Sequence, residues 1–268
     1  MFSSFRAFLR IVLLLLTAAL SSLLCLTIYW IVPRSVWSKI VRIWAFIIIK
    51  ISGINLEVVD KTNNNYLLSN YMVIANHMSW LDVMLLDTIY FIGFVAKAEL
   101  RYWPLLNILI KAGGTIFINR NRKRDIVPTN RKISELLSNG GCIGLFPEGK
   151  VNNGKEIFPF KAPLLEAALQ SQSKIIPIVL LYFREDGQLA REALYYGHNL
   201  WQTVSNTVRA KSLTVKAIIL PEVETCNFKS RQALSEHLHH MMSTVFNENL
   251  AKIKLKQADN KVKMDLVT

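Results

Sequence analysis

The sequence predicts an α/β fold: a central, largely parallel sheet flanked by helices, with an N-terminal membrane-associated helix pair. Three observations predict it. Short apolar runs rich in β-branched and aromatic residues alternate with helical segments from Tyr71 to Leu220, the pattern of strands and crossover helices around a parallel sheet. Polar residues of chemical interest fall just past those runs, at Asn76-His77, Lys97, Asn119-Arg120 and Pro147-Glu148-Gly149, where open parallel sheets place their sites. Before the first run, the chain is apolar over lengths suited to a bilayer rather than to a strand.

The elements follow in order. Ile11 to Val32 carries no charge and would form a helix about 33 Å long, enough for a bilayer core of about 30 Å. It is longer than a signal-peptide core and no small-residue cleavage site follows, so a retained anchor is expected. Val36 to Ile54 mixes Lys39, Arg42 and Lys50 with Trp37, Trp44 and Phe46, which suits a helix at the membrane surface. Arg34, Lys39 and Arg42 outweigh Arg6 and Arg10, which sets the region after Pro33 on the cytoplasmic side, at the inner membrane for a bacterial chain. Asp60 to Asn70 reads as a turn. Strands are expected at Tyr71–Asn76, 91–97, 114–118, 142–146, 175–183 and 213–220. Helices are expected at Trp80–Tyr90, Tyr102–Ala112, Val127–Ser138, Ala162–Gln170 and Lys229–Leu250. The chain divides into an anchor at 1–54, an α/β domain at 55–250 and a basic tail at 251–268.

The 268 residues suffice for one sizeable domain plus an anchor. The net charge of +13 points to anionic lipid headgroups, phosphorylated small molecules or nucleic acid. With a hydrophobic anchor present, the membrane is the more economical partner. Cys25, Cys142 and Cys226 have neither metal nor disulfide spacing, which fits a reducing compartment. His237, His239 and His240 lie on a helix whose apolar pattern explains it without a metal, and no metal site is expected.

Gly144 to Val151 reads GLFPEGKV and begins like a phosphate-binding P-loop. Val151 stands where the P-loop needs a magnesium-binding hydroxyl. Pro147 removes a backbone N–H from the cradle, and no convincing helix follows. A nucleotide site is excluded on those grounds.

His77 and Asp82 would stand about 140° apart on one continuous helix. With His77 in the loop and Ser79 as N-cap, Asp82 falls at the third helical position and can swing under the imidazole. There it would hold the tautomer and stabilise the imidazolium. The plain alternative is an ordinary capping box beside a polar loop histidine. No nucleophile elbow is present, so the nucleophile would be a substrate hydroxyl, deprotonated as it attacks an activated acyl group. Oxyanion donors would come from backbone N–H groups near the helix start.

These residues carry a resemblance. Asn76-His77-x-Ser79-x-x-Asp82, then Lys97-x-Glu99 leading to Gly114–Arg120, then Phe146-Pro147-Glu148-Gly149, then Ile176-Pro177-Ile178 resemble, in order, the four blocks of the lysophosphatidic acid acyltransferase family of glycerolipid acyltransferases. The match runs from about Tyr71 to Tyr182. It implies a membrane-bound enzyme that moves a fatty acyl group from acyl-CoA or acyl-carrier protein to the free hydroxyl of 1-acyl-glycerol-3-phosphate, giving phosphatidic acid, with no cofactor. It implies His77 as general base, Asp82 as its partner, and Lys97, Asn119, Arg120, Glu148 and Gly149 at the substrate, with Glu148 either positioning substrate or serving as a structural carboxylate. Lys150 replaces the family's usual Thr and adds a cation near the acyl donor or a phosphate. Other readings are acylation of a different lysolipid, such as lyso-ornithine lipid or a lysophospholipid, and a non-catalytic anionic-lipid or nucleic-acid binder. The last gives no reason for His77 and Asp82, and nucleic acid is not expected as a partner.

Overall fold

The computed structural model describes residues 2–62, 69–103, 106–119 and 122–265. Two helices open the chain, α1 (Phe2–Thr27) and α2 (Arg34–Ile51). The sheet follows, with β1 (Ile54–Asp60), β2 (Tyr71–Ala75), β3 (Gly93–Lys97), β4 (Ile116–Ile118), β5 (Cys142–Leu145), β6 (Lys174–Arg184), β7 (Leu213–Ile219) and β8 (Val223–Glu224). Between and after them lie α3 (Asp82–Ile89), α4 (Leu106–Ala112), α5 (Ile126–Ser138), α6 (Glu166–Gln170), α7 (Leu200–Arg209) and α8 (Arg231–Asp265).

The strand order is β1-β7-β6-β2-β5-β3-β4, with β8 pairing β6. From β6 to β4 every pairing is parallel, whereas β6 meets β7 and β8 antiparallel. The α/β class with a largely parallel sheet is as expected. Central β2 is apolar along its length, because both faces of such a sheet are covered; Met72, Val73, Ile74 and Ala75 have no exposed surface.

Several boundaries differ from expectation. α1 starts near the N-terminus, where Arg6 and Arg10 find partners within the fold, and it stops at Thr27. Arg6 donates to the carbonyl of Arg209 and Arg10 to those of Val208, Ala210 and Lys211. The two guanidinium groups thus satisfy orphan carbonyls at the end of α7, where the helix dipole favours cations. α2 ends at Ile51, because Ile54 enters β1, a strand the sequence did not predict. β1 shows only Ile54 buried, so it lacks the apolar signal of the inner strands. α7 was also unforeseen. Its Asn199–Gln202 capping box is formed in both directions, and Asn-x-x-Gln before a helix was a readable signal. α8 runs on to Asp265, into the segment expected as a basic tail. It packs on the core through Leu234, Leu238, Met242 and Phe246.

Candidate active site at the end of β2

β2 delivers the site. Beyond Ala75 the side chain of Asn76 replaces the backbone ladder: its amide donates to the carbonyl of Leu180 at 3.0 Å and accepts from the Leu180 N–H at 2.8 Å. The chain is thereby held to β6 while the main chain turns away, and His77 emerges at the sheet's C-terminal edge.

His77 Nδ1 and Asp82 Oδ2 stand 2.7 Å apart. The same oxygen accepts from the N–H groups of Met78 at 2.7 Å and Ser79 at 2.8 Å. The other carboxylate oxygen accepts from the Tyr182 hydroxyl. Four donors thus converge on a fully buried carboxylate. Burial, with the Asp82 charge beside it, pushes the Tyr182 phenol well above its ordinary value, so Tyr182 stays a donor. With Nδ1 turned to the carboxylate, Nε2 is the nitrogen left for chemistry, and the side chain is 25% exposed.

The capping geometry is not the expected one. Leu81, not Ser79, is the N-cap, and Asp82 is the first helical residue. Asp82 does reach back to the Ser79 N–H, but the Ser79 hydroxyl accepts from the Leu81 N–H at 3.3 Å. The helix-start N–H groups of Met78 and Ser79 are therefore engaged by Asp82 and do not face an oxyanion.

Glu148 lies beneath the histidine. Its Oε1 accepts from the His77 N–H at 2.7 Å and its Oε2 from the Phe158 N–H at 2.8 Å, while the Asn152 amide donates to both oxygens at 3.0 Å. Asn152 closes the ring by donating its own N–H to the His77 carbonyl at 2.7 Å. Burial pushes Glu148 up to about 7, and these hydrogen bonds oppose that rise. Of the two roles expected for Glu148, substrate-positioning or structural, these contacts fit the structural one, holding the backbone that carries His77. Gly149 has φ +68, which only glycine adopts without strain, and this turn aims Glu148 inward. Gly144, the other glycine of the P-loop-like stretch, lies in β5. A Cβ there would meet the Phe94 ring at 2.4 Å, so its role is steric. Phe94 stacks on Phe146 at 5.7 Å, and Phe146 on the His77 ring at 4.3 Å.

Lys97 ends β3 with its ammonium 3.3 Å from Glu99 and 57% of its side chain exposed. Asn119 follows β4 at the same edge of the sheet. Arg120 lies outside the described residues. Lys150 Nζ sits over the Phe158 ring at 4.5 Å. On α8, His239 Nε2 faces the Ile157 carbonyl at 3.1 Å, and among the described residues no three His, Cys, Asp or Glu side chains gather as metal ligands would. Asn152 and Tyr182 were missed from sequence. Asn152 sits in an Asn-Asn-Gly stretch that reads as a turn, and Tyr182 reaches Asp82 from 100 residues away.

An apolar cavity of about 310 Å³ opens behind the Phe94 ring. Leu20 and Leu24 of α1, Ile40 and Trp44 of α2, and Val83 and Met84 of α3 wall it.

The sequence profile of the Acyltransferase family matches residues 55–181. The 1-acyl-sn-glycerol-3-phosphate acyltransferase of Neisseria gonorrhoeae is 33% identical over 174 residues, covering 65% of this chain and 68% of that one. The chain belongs to the 1-acyl-sn-glycerol-3-phosphate acyltransferase family. A lyso-ornithine lipid O-acyltransferase of Pseudomonas aeruginosa is 36% identical over 124 residues, 46% of this chain and 47% of that one. The crystal structure of the 1-acyl-sn-glycerophosphate acyltransferase PlsC from Thermotoga maritima superposes with a TM-score of 0.65 at 20% identity, over 90% of this chain and 97% of that chain. It shares the fold. Within this acyltransferase family member, the family profile spans β1 to β6, and so takes in His77, Asp82, Glu148 and the strands that hold them.

Proposed function

We propose that this protein is a membrane-bound lysolipid O-acyltransferase whose acceptor is 1-acyl-glycerol-3-phosphate and whose product is phosphatidic acid. The observation that carries the reading is the His77–Asp82 pair, locked at the sheet edge, with an apolar cavity on the far side of the Phe146–Phe94 stack. Asp82 holds the Nδ1–H, so Nε2 takes the proton of the acceptor hydroxyl as its oxygen attacks the thioester carbonyl. The tetrahedral intermediate expels the thiolate, which receives that proton back from the imidazolium. The ester forms and no covalent enzyme intermediate is needed. Glu148 and Asn152 act on the backbone, keeping His77 within reach. Lys97 and Asn119 at the sheet edge, with Arg120 next in the sequence, are the groups assigned to the acceptor phosphate, and Lys150 adds charge on the side of Phe158. The acyl chain enters the cavity between the helix pair and α3. Acyl-CoA or an acyl-carrier protein serves as donor.

The membrane reading rests on α1. Residues Ser4–Thr27 have mean hydropathy 2.3 and are long and apolar enough to cross a bilayer. Yet α1 is tied to the α/β domain at both ends, through Arg6 and Arg10 at one and the Cys25–Trp37–Ala112 cluster at the other. A single crossing would carry one end away from the domain. We therefore place α1 and α2 in the proximal leaflet, with Phe5, Phe8, Leu13, Leu16, Leu20 and Leu23, all exposed, in the lipid.

The test is acyl transfer by purified membranes against a panel of lysolipids, with wild type and His77→Ala side by side. Phosphatidate formation that vanishes in His77→Ala supports the reading; transfer retained by the variant overturns the mechanism. A second reading, lyso-ornithine lipid as acceptor, is favoured by the 36% identity to the Pseudomonas enzyme. Exclusive turnover of that acceptor in the panel would select it.

A further inference from the structure

The loop that carries Asn152 and Phe158 is gripped by α8. The Ser235 hydroxyl donates to the Phe160 carbonyl at 3.4 Å. One turn along the helix, His239 Nε2 stands 3.1 Å from the Ile157 carbonyl, and its ring meets the Phe160 ring edge-on at 5.2 Å. A carbonyl oxygen only accepts, so the contact places a proton on Nε2. The Ser243 hydroxyl oxygen, 3.3 Å away, is a second acceptor for it. α8 is itself fixed, because Leu234, Leu238, Met242 and Phe246 are buried in the core.

The carbonyl that His239 holds belongs to the brace under the base. The Ile157 C=O and the Phe158 N–H are the two ends of one planar peptide group, and that N–H donates to Glu148 Oε2 at 2.8 Å. Glu148 Oε1 in turn accepts from the His77 N–H at 2.7 Å. A rotation of the peptide plane that breaks one of its hydrogen bonds disturbs the other. A hydrogen bond to the amide oxygen also polarises the group and strengthens the donor at its nitrogen. One side chain, one peptide and one carboxylate therefore connect α8 to the catalytic histidine.

We propose that His239 is a positioning residue for acyl transfer, holding the peptide between Ile157 and Phe158 so that Glu148 keeps His77 aimed at the acceptor hydroxyl. The inference rests on His77 being the general base. The neighbouring histidines of α8 are placed differently: His237 packs against the Phe228 ring and His240 is exposed. Because His239 acts through the backbone, its loss is felt in the aim of His77, and so in the transition state rather than in the binding of either substrate.

The experiment measures kcat and KM for the full chain in washed membranes, with a hexadecanoyl thioester and 1-acyl-glycerol-3-phosphate, rates being normalised to folded chain. His239→Leu should lower kcat about 3- to 10-fold with KM for both substrates unchanged. His239→Gln, whose amide N–H₂ can reach the Ile157 carbonyl, should restore most of that loss. His239→Asn, one methylene shorter, should not, and this pair carries the test if the Leu variant fails to fold. In a Glu148→Gln background the effect of removing His239 should shrink to less than about twofold, since one amide oxygen cannot accept from both Phe158 and His77 and the path is already cut. His240→Ala should match wild type. Four outcomes overturn the inference and leave the proposed function standing: a kcat unmoved by His239→Leu and His239→Asn, a fall that His239→Gln does not relieve, an undiminished fall in the Glu148→Gln background, or an equal fall in His240→Ala. Absence of acyl transfer by wild type overturns both.

Discussion

The two ends of α3 carry the same side chain in opposite circumstances. At its first turn Asp82 is fully buried and receives hydrogen bonds from an imidazole, two backbone N–H groups and a phenol. Five residues on, Asp87 is almost as buried, faces an apolar cavity and receives one long hydrogen bond. Burial alone therefore does not decide what a carboxylate does. Donors that converge on it make a fixed acceptor able to orient a base. Their absence raises its affinity for a proton and leaves a neutral acid in a lipid-like wall. The first region is rigid because every member holds another. The second is a packed but incompletely satisfied seam between the helix pair and the domain.

Breaking the first region should give the largest effects. His77→Ala should lower acyl transfer by about 10²–10⁴-fold with membrane attachment retained, as measured by initial rates in washed membranes. Asp82→Asn should fall in the same range, because an amide can no longer accept from every donor around it and mispositions the imidazole. Near-normal turnover by that variant would mean the pair is not the acid–base unit.

The next effect in size concerns the brace under His77. Glu148→Gln places an amide N–H₂ against two groups that both donate, the Asn152 amide and the N–H of either His77 or Phe158. A loss of about 1–3 kcal/mol in stability is expected, together with reduced kcat, and chemical denaturation would measure the first. An unchanged midpoint would show the brace to be dispensable.

The Asp87 end is sharpened by pH. Its carboxyl holds a proton up to about 8 in the folded state, against an ordinary 3.8. The native state therefore binds more protons than the unfolded chain between those values. Stability contributed by this group is complete below pH 4 and is lost as the pH rises through 8. Asp87→Asn should flatten that decline, read as the difference in denaturation midpoint between wild type and variant across pH 5 to 9. A parallel pair of curves would place the titration elsewhere.

The smallest effect is expected at the rim. Lys97→Ala should raise KM for a phosphorylated acceptor several-fold with little change in kcat, since the ammonium is more than half exposed and paired with Glu99. An unchanged KM would remove Lys97 from the phosphate site.

Much of this was legible in the residues themselves. The inner strands announced themselves because both faces of a parallel sheet must be apolar. The position of His77 just past such a strand pointed to the edge where sites form. β1 went unseen because it lies at the border of the sheet and only Ile54 is buried. α1 was displaced in the reading because Arg6 and Arg10 look like flanking charges until the carbonyls at the end of α7 are in place. The segment beyond Leu250 read as a basic tail, yet it continues α8 as far as Asp265.

By itself the sequence determined the α/β class, the order of its inner strands along the chain, the acid–base candidates and the poor fit of Gly144–Val151 to a nucleotide. Each is local: a run of apolar residues, a spacing, a missing hydroxyl. Only the tertiary structure decided that Glu148 turns inward to hold the His77 backbone, that Tyr182 closes the shell of Asp82, and that Asp87 faces a cavity roofed by the helix pair. Those facts depend on groups that are far apart in the chain and meet only when the sheet and helices pack. No periodicity or spacing encodes which of two buried carboxylates will find its donors.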